Sequence, residues 1–214
     1  MSVQDCIPLF PEEEIPRIIN EIVDAAACLK KKSESDREDH LTYRLYGIII
    51  RDKRYRSGPL HYLHPVPQYE VFGLESDGNP PTGRIDLVYV YGSWRDTYFA
   101  IEAKRLHVTT GDSGWRSLIG EYVAGNQGVM CFVTGKYSAA QRAGAMLGYV
   151  FDGDVDGARS GISKAINDNR VMLMIKGSSG LRRSNVLKRK ERVDETQHRF
   201  GQRSFTIYHL LVPV

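Results

Sequence analysis

Apolar residues recur at helical spacing first over 12–29, where Ile15, Ile18, Ile19, Ile22, Val23 and Ala26 fall on one face. The acidic opening Glu12-Glu13-Glu14, followed by Pro16, fits a helix N-terminus: carboxylates suit the positive end of the helix dipole, and proline suits the first turn. A polar joint follows. The spacing then predicts a second helix over 36–50, with Leu41, Leu45, Ile48 and Ile49 inward. Residues 51–67, rich in Arg, Tyr, Gly, His and Pro, predict a loop with strand-like fragments. A strand is predicted over 69–74 and a firm turn over 77–81, where Asp, Gly, Asn and two prolines cluster. Residues 84–91 alternate and then turn wholly apolar, as a largely buried strand does; 98–104 form a second such run, and 92–96 read as the hairpin turn between them. Beyond, the pattern predicts a helix over 115–124, a buried strand over 128–134, helices over 138–149 and 155–167, a short buried strand over 171–175 and a closing strand over 204–211.

Candidate chemistry sits on the two central strands. Asp86 interrupts an otherwise apolar run, and a buried carboxylate must be paired, hydrogen-bonded or bound to a metal. Glu102 and Lys104 lie two residues apart on the next strand and so share one face of the sheet. With the strands antiparallel, two carboxylates and an ammonium converge on one patch. That is the chemistry of a divalent-metal site that cuts a phosphodiester.

Gly83-Arg84-Ile85-Asp86, a spacer containing a turn, then Glu102-Ala103-Lys104 at the end of a strand resembles the PD-(D/E)xK nuclease superfamily, which includes many restriction endonucleases and DNA-repair nucleases. Ile85 stands where that motif often carries proline. The resemblance covers about 36–134 and implies an α/β, restriction-endonuclease-like core: helix, three-stranded mixed sheet, helix, strand. Residues 1–35 would be an N-terminal helical extension, and 135–214 a C-terminal extension of helices and strands within the same single domain. The resemblance further implies a Mg2+ (or Mn2+) ion held by Asp86, Glu102 and the Ala103 carbonyl, with Lys104 orienting the attacking water or countering charge on the phosphate. It implies a cytosolic DNA-cleaving enzyme working in restriction, anti-phage defence or a mobile element. The chain has no Walker A motif, so an energy-driven step would need a partner ATPase or helicase. The amphipathic first helix offers a surface for a homodimer. A fold kept for binding nucleic acid or a partner without cleavage, and an RNA-cleaving nuclease, are the alternative readings.

Composition and charge add one feature. At 214 residues and 42% hydrophobic, the chain suits one α/β catalytic domain, and no window is apolar enough for a membrane span. The N-terminus lacks the basic and apolar regions of a signal peptide, and three scattered cysteines (Cys6, Cys28 and Cys131) read as reduced thiols. The net charge of +3 conceals a basic segment: residues 176–203 hold nine Lys or Arg against three acids. Arg182, Arg183, Lys188, Arg189 and Lys190 are its densest part and suit a nucleic-acid backbone.

Further residues carry two readings each. Glu38 stands three after Ser35, the capping-box spacing, yet the superfamily often supplies a site acid from this helix; Asp39 is its neighbour. Glu121, Tyr122 and Gln127 follow the catalytic strand and would face the site or simply solvent. His61 and His64 lack a third ligand nearby. Trp94, Tyr89, Tyr91 and Tyr98 read as sheet packing. The Asp152-to-Gly157 run lacks the closing glutamate of a calcium loop.

Overall fold

The structure, a computed structural model, describes residues 8–55, 59–64, 66–68, 83–92, 97–110, 114–178, 180–187 and 193–214. The predicted strand over 69–74, the turn over 77–81, most of the 92–96 turn, Cys6, Trp94 and the triplet Lys188 to Lys190 lie outside those residues.

A 3-10 turn, Glu12–Glu14, leads into α1 (Ile15–Ala26), and α2 follows over Glu38–Ile49. Three strands come next in the main sheet: β1 (Leu60–Leu63), β4 (Leu87–Tyr91) and β5 (Tyr98–Leu106), with β2 (Val66–Gln68) and β3 (Gly83–Ile85) forming a separate two-stranded ribbon. A small hairpin, β6 (Val108–Thr110) and β7 (Gly114–Arg116), leads to short helices α3 (Ile119–Val123) and α4 (Val129–Val133). The chain then runs through β8 (Ala143–Val150), α5 (Val155–Asp168), β9 (Arg182–Arg183), β10 (Asp194–Phe200) and β11 (Arg203–Pro213).

The result is a mixed α/β fold around an open seven-stranded sheet of order β1-β4-β5-β8-β11-β10-β9. β4 runs antiparallel to both β1 and β5, β8 runs parallel to both β5 and β11, and β10 runs antiparallel to both β11 and β9. The period-two pattern of the strands sorts their residues between two layers. Leu87, Tyr89, Phe99, Ile101 and Leu147 pack with α1 and α2, while Val88, Val90, Ala100, Met146 and Ile207 pack with α3, α4 and α5. Among the described residues, no helix is long and apolar enough to cross a membrane.

Several expectations from the pattern are corrected. Residues 128–134 are helical (α4), not a strand, and the strand beside β5 is β8, where a helix was expected. β8 reads Ala-Gly-Ala-Met-Leu-Gly-Tyr-Val, poor in β-branched residues, because neighbours fill the space its side chains would take. A Cβ on Gly144 would lie 2.5 Å from Phe132 Cε1, and one on Gly148 would lie 2.7 Å from both Leu106 Cδ1 and Leu211 Cδ2. The helix expected from Trp115 begins only at Ile119, since Trp115 belongs to the hairpin. Residues 171–175 are a turn. Only Leu173 is fully buried there, and Val171 is 94% exposed. The apolar face of α1 is buried against this chain's own core.

A buried polar ladder joins α3 to the far half of the sheet. His198 Nδ1 lies 2.7 Å from the Leu173 carbonyl, Thr196 Oγ1 lies 2.8 Å from His198 Nε2 and 2.9 Å from His209 Nε2, and Tyr122 OH lies 2.9 Å from His209 Nδ1. One proton assignment satisfies every member: His198 donates to the carbonyl, Thr196 to His198, His209 to Thr196, and Tyr122 to His209. Burial lowers the His198 pKa to about 4 and, with His198 adding to the effect, the His209 pKa to about 3, so both rings are neutral near pH 7.

Two predictions concern this scaffold. Gly144→Ala drives a methyl into the buried Phe132 ring and should cost about 1–3 kcal/mol, read as a lower urea midpoint at unchanged slope. Glu21 of α1 is fully buried; burial raises its pKa to about 8, against an opposing pull from Tyr62. The unfolded chain releases that proton above pH 4.5 while the fold retains it, so this group makes stability fall as pH rises from about 4.5 to about 8. Glu21→Gln should remove that part of the slope in denaturation series at pH 5, 7 and 8.5.

Candidate active site

The site forms where the sheet forks. β4 pairs with β5 only as far as Leu87 opposite Ile101; the preceding ribbon strand, β3, turns to pair with β2 instead. β5 continues from Glu102 to Leu106 with β8 on one side and no described strand on the other. Backbone N–H groups two residues apart on a strand point to the same edge. On this open edge two carboxylates take their place as acceptors. Asp86, at the bend between β3 and β4, accepts from the Ala103 N–H at 2.8 Å, and Glu38, opening α2, accepts from the Arg105 N–H at 3.0 Å.

Lys104 binds the two acids together. Its ammonium donates to Glu102 Oε1 at 2.8 Å, Glu38 Oε1 at 3.0 Å and the Ala103 carbonyl at 2.7 Å, which occupies all three of its protons. Glu102 and Lys104 are 3% and 5% exposed, so removing either member would leave a buried charge without its partner, at high cost. Burial raises the Glu102 pKa to about 7; the Asp86 charge adds to the rise and Lys104 opposes it. Burial raises the Glu38 pKa too, with Lys104 pulling the other way. For Lys104 itself burial works downward, but Glu102, Glu38 and Asp86 together hold its pKa above the ordinary lysine range.

Glu38 therefore belongs to the site, and the capping-box alternative is not realised. α2 begins after Arg37 with no side-chain cap, and Ser35 Oγ bonds Ser33 Oγ instead. The start of α2 is tied to the sheet by two contacts, since Arg105 Nη1 donates to the Asp36 carbonyl at 3.0 Å and Thr42 bridges the Glu38 carbonyl and the Tyr149 hydroxyl; Arg44 of α2 itself holds the Asp36 carboxylate. Asp39 lines the same cleft but bonds Arg37.

An open cleft of about 290 Å³ lies over Glu38 and Lys104. Glu121 and Gln127 line it, whereas Tyr122 is buried in the histidine ladder. Arg37, Arg84 and Arg105 also line it and were not singled out in the sequence; the only signal was that Arg84 and Arg105 directly flank the acidic motif. His64 stacks on Tyr46 with ring centroids 5.5 Å apart. Burial lowers its pKa while the Asp86 charge raises it, which places it within electrostatic reach of the site.

Among the described residues, buried Glu102 Oε2 has no hydrogen-bond partner and is a hard oxygen beside the Asp86 charge. That donor chemistry suits a Mg2+ or Mn2+ ion. Among the described residues, no three His, Cys, Asp or Glu side chains close on one point as a ready-made cage, and the Ala103 carbonyl is engaged by Lys104. The fitting set is Asp86 with Glu102, with Ala103 O as the further oxygen.

Arg182 and Arg183, the described part of the dense basic run, lie apart from this cleft. Arg182 is neutralised by Glu195 at 2.6 Å, and Arg183 is exposed on the edge strand β9. Arg183 pairs in register with Asp194, then His209, Met146 and Glu102, four strand spacings or about 19 Å from the site. No protein-family model matches the chain, and neither characterised proteins nor solved structures compared with it give a match.

Removing the ammonium tests the charge balance. Lys104→Met should destabilise the fold by about 3 kcal/mol at pH 8.5. The loss should be smaller at pH 5, where Glu102 is protonated in the fold. Thermal melts at the two pH values measure the difference.

Proposed function

We propose that this chain is a divalent-metal-dependent endodeoxyribonuclease with a restriction-endonuclease-like fold. The observation that carries the reading is the convergence, on the open edge of β5, of Asp86, Glu102 and Glu38 around Lys104, with one buried carboxylate oxygen of Glu102 unpartnered. The order α2, then antiparallel β1, β4 and β5, then α3 and α4, then β8 parallel to β5 supports the fold assignment.

Asp86 and Glu102, with the Ala103 carbonyl, would hold the Mg2+ or Mn2+ ion, which when bound supplies a Lewis acid for the scissile phosphate and lowers the pKa of a water. The chain's own residues do the remainder. Asp86 is fixed by the Ala103 N–H and Glu38 by the Arg105 N–H, so both acids are positioned before substrate arrives. Lys104 turns one of its three protons from a protein oxygen toward the attacking water or a phosphate oxygen, and Glu38 keeps it charged. Arg37, Arg84 and Arg105 offer the cleft's cations to the flanking backbone. Restriction, anti-phage defence or a mobile element is the setting that this class of enzyme implies, with a separate ATPase or helicase where the task needs one.

The test is cleavage of supercoiled plasmid, linear duplex, single-stranded DNA and RNA with Mg2+ or Mn2+, comparing wild type with Glu102→Ala and Lys104→Met. Wild type should cut DNA, and each variant should lose at least about 10³-fold in rate, the scale expected when a preorganised charge is removed from a transition state. Cleavage of RNA alone would move the substrate class. No cleavage by folded wild type would leave a binding protein, and equal cleavage by Lys104→Met would remove Lys104 from the chemistry.

A further inference from the structure

Three residues beyond Lys104 the chain leaves β5 through His107, whose φ of 54° is a left-handed value that a non-glycine residue adopts only when its surroundings enforce it. The bend throws out the β6–β7 hairpin, and Trp115 stands on it with 58% of its surface exposed. That ring is fixed. Its Nε1–H donates to Asp152 Oδ2 at 3.0 Å, and its centroid lies 4.9 Å from the His107 ring. Asp152 is held in turn by His107 Nδ1 at 3.1 Å and by the backbone N–H of Asp154 at 3.0 Å. The indole therefore presents an open face with its orientation already set.

The hairpin is continuous with the cleft. Arg116 next to Trp115 bonds Glu121 at 3.2 Å, and Glu121 lines the cleft beside Lys104. Both members of that pair are well exposed, so the guanidinium exchanges a carboxylate for a phosphate at little cost. Along the strand, His107 lies about 10 Å from Lys104, the reach of one or two nucleotides.

We infer that Trp115 is a stacking platform for an unpaired base of the nucleic-acid strand that leaves the cleft, with Arg116 on the adjoining phosphate; this rests on the nuclease reading above. A preordered aromatic face next to a cation is the recognition element of single-stranded nucleic acid, because every base has a π-face and the backbone is anionic. Bases inside an intact duplex are stacked on one another and do not reach the ring. The hairpin therefore sets a preference for single-stranded or frayed substrate over blunt duplex.

Binding is measured by fluorescence anisotropy with fluorescein-labelled oligonucleotides, one single-stranded and one blunt duplex, in Mg2+, with cleavage silenced by Lys104→Met. Adding Trp115→Ala should weaken single-strand binding by about 5- to 150-fold and change duplex binding by less than about 2-fold. Independently, single-stranded DNA should quench tryptophan fluorescence in the parent, and Trp115→Phe should abolish the quench; this readout decides the matter if the alanine variant does not fold. Equal weakening for both oligonucleotides, or unchanged affinity with a surviving quench, overturns the stacking role and leaves the nuclease reading intact where wild type cuts DNA. A parent that binds neither oligonucleotide, from a wild type that cuts nothing, overturns both.

Discussion

The site depends on an unfinished sheet. Among the described residues, β5 is central for part of its length and an edge for the rest, because its pairing with β4 ends at Leu87 opposite Ile101 while its pairing with β8 continues to Val150 opposite Leu106. Backbone amides left at such an edge need acceptors, and here the acceptors are side chains: the Asp86 and Glu38 carboxylates. Once two anions are drawn to the edge and Glu102 projects from the same strand, a cation is required among them. Lys104 follows from that requirement, as does the tethering of α2, without which Glu38 would not reach.

The same logic explains why so much of the surrounding structure is polar yet buried. Arg105, Asp36 and Arg44 clamp the start of α2, Thr42 and Tyr149 bridge it to the sheet, and the His198–Thr196–His209–Tyr122 ladder fixes α3 beside the cleft. In the ladder His198, Thr196 and His209 are each used as both donor and acceptor and Tyr122 as donor, which is the condition under which a polar network adds rigidity rather than strain. The cleft walls are therefore held by directional bonds, where packing of apolar surface would allow sliding.

The acidic motif was legible because its spacing is local: Glu102 and Lys104 two apart on an apolar strand, and Asp86 interrupting the partner strand. The long amphipathic elements α1, α2 and α5 were legible for the same reason, and so was β11. What was missed depends on tertiary contacts. The small residues of β8 look helical until Phe132, Leu106 and Leu211 are seen to occupy the room above them. Residues 128–134 look like a strand because α4 is buried on nearly all sides. Glu38 looked like a cap because nothing in the order of residues shows that Lys104, 66 positions on, will claim its carboxylate. Trp115 looked helical because its partner, Asp152, is 37 positions away.

An exposed strand edge is also where proteins recruit unwanted neighbours, since unpaired amides invite a second chain to add a strand. In this molecule the guards on that edge are two carboxylates of the candidate site. Asp86 and Glu38 cover the amides of Ala103 and Arg105 and bring carboxylates to an extended stretch that already carries Glu102, Lys104 and Arg105. An alanine at either position would uncover one of those amides and with it a template for self-association.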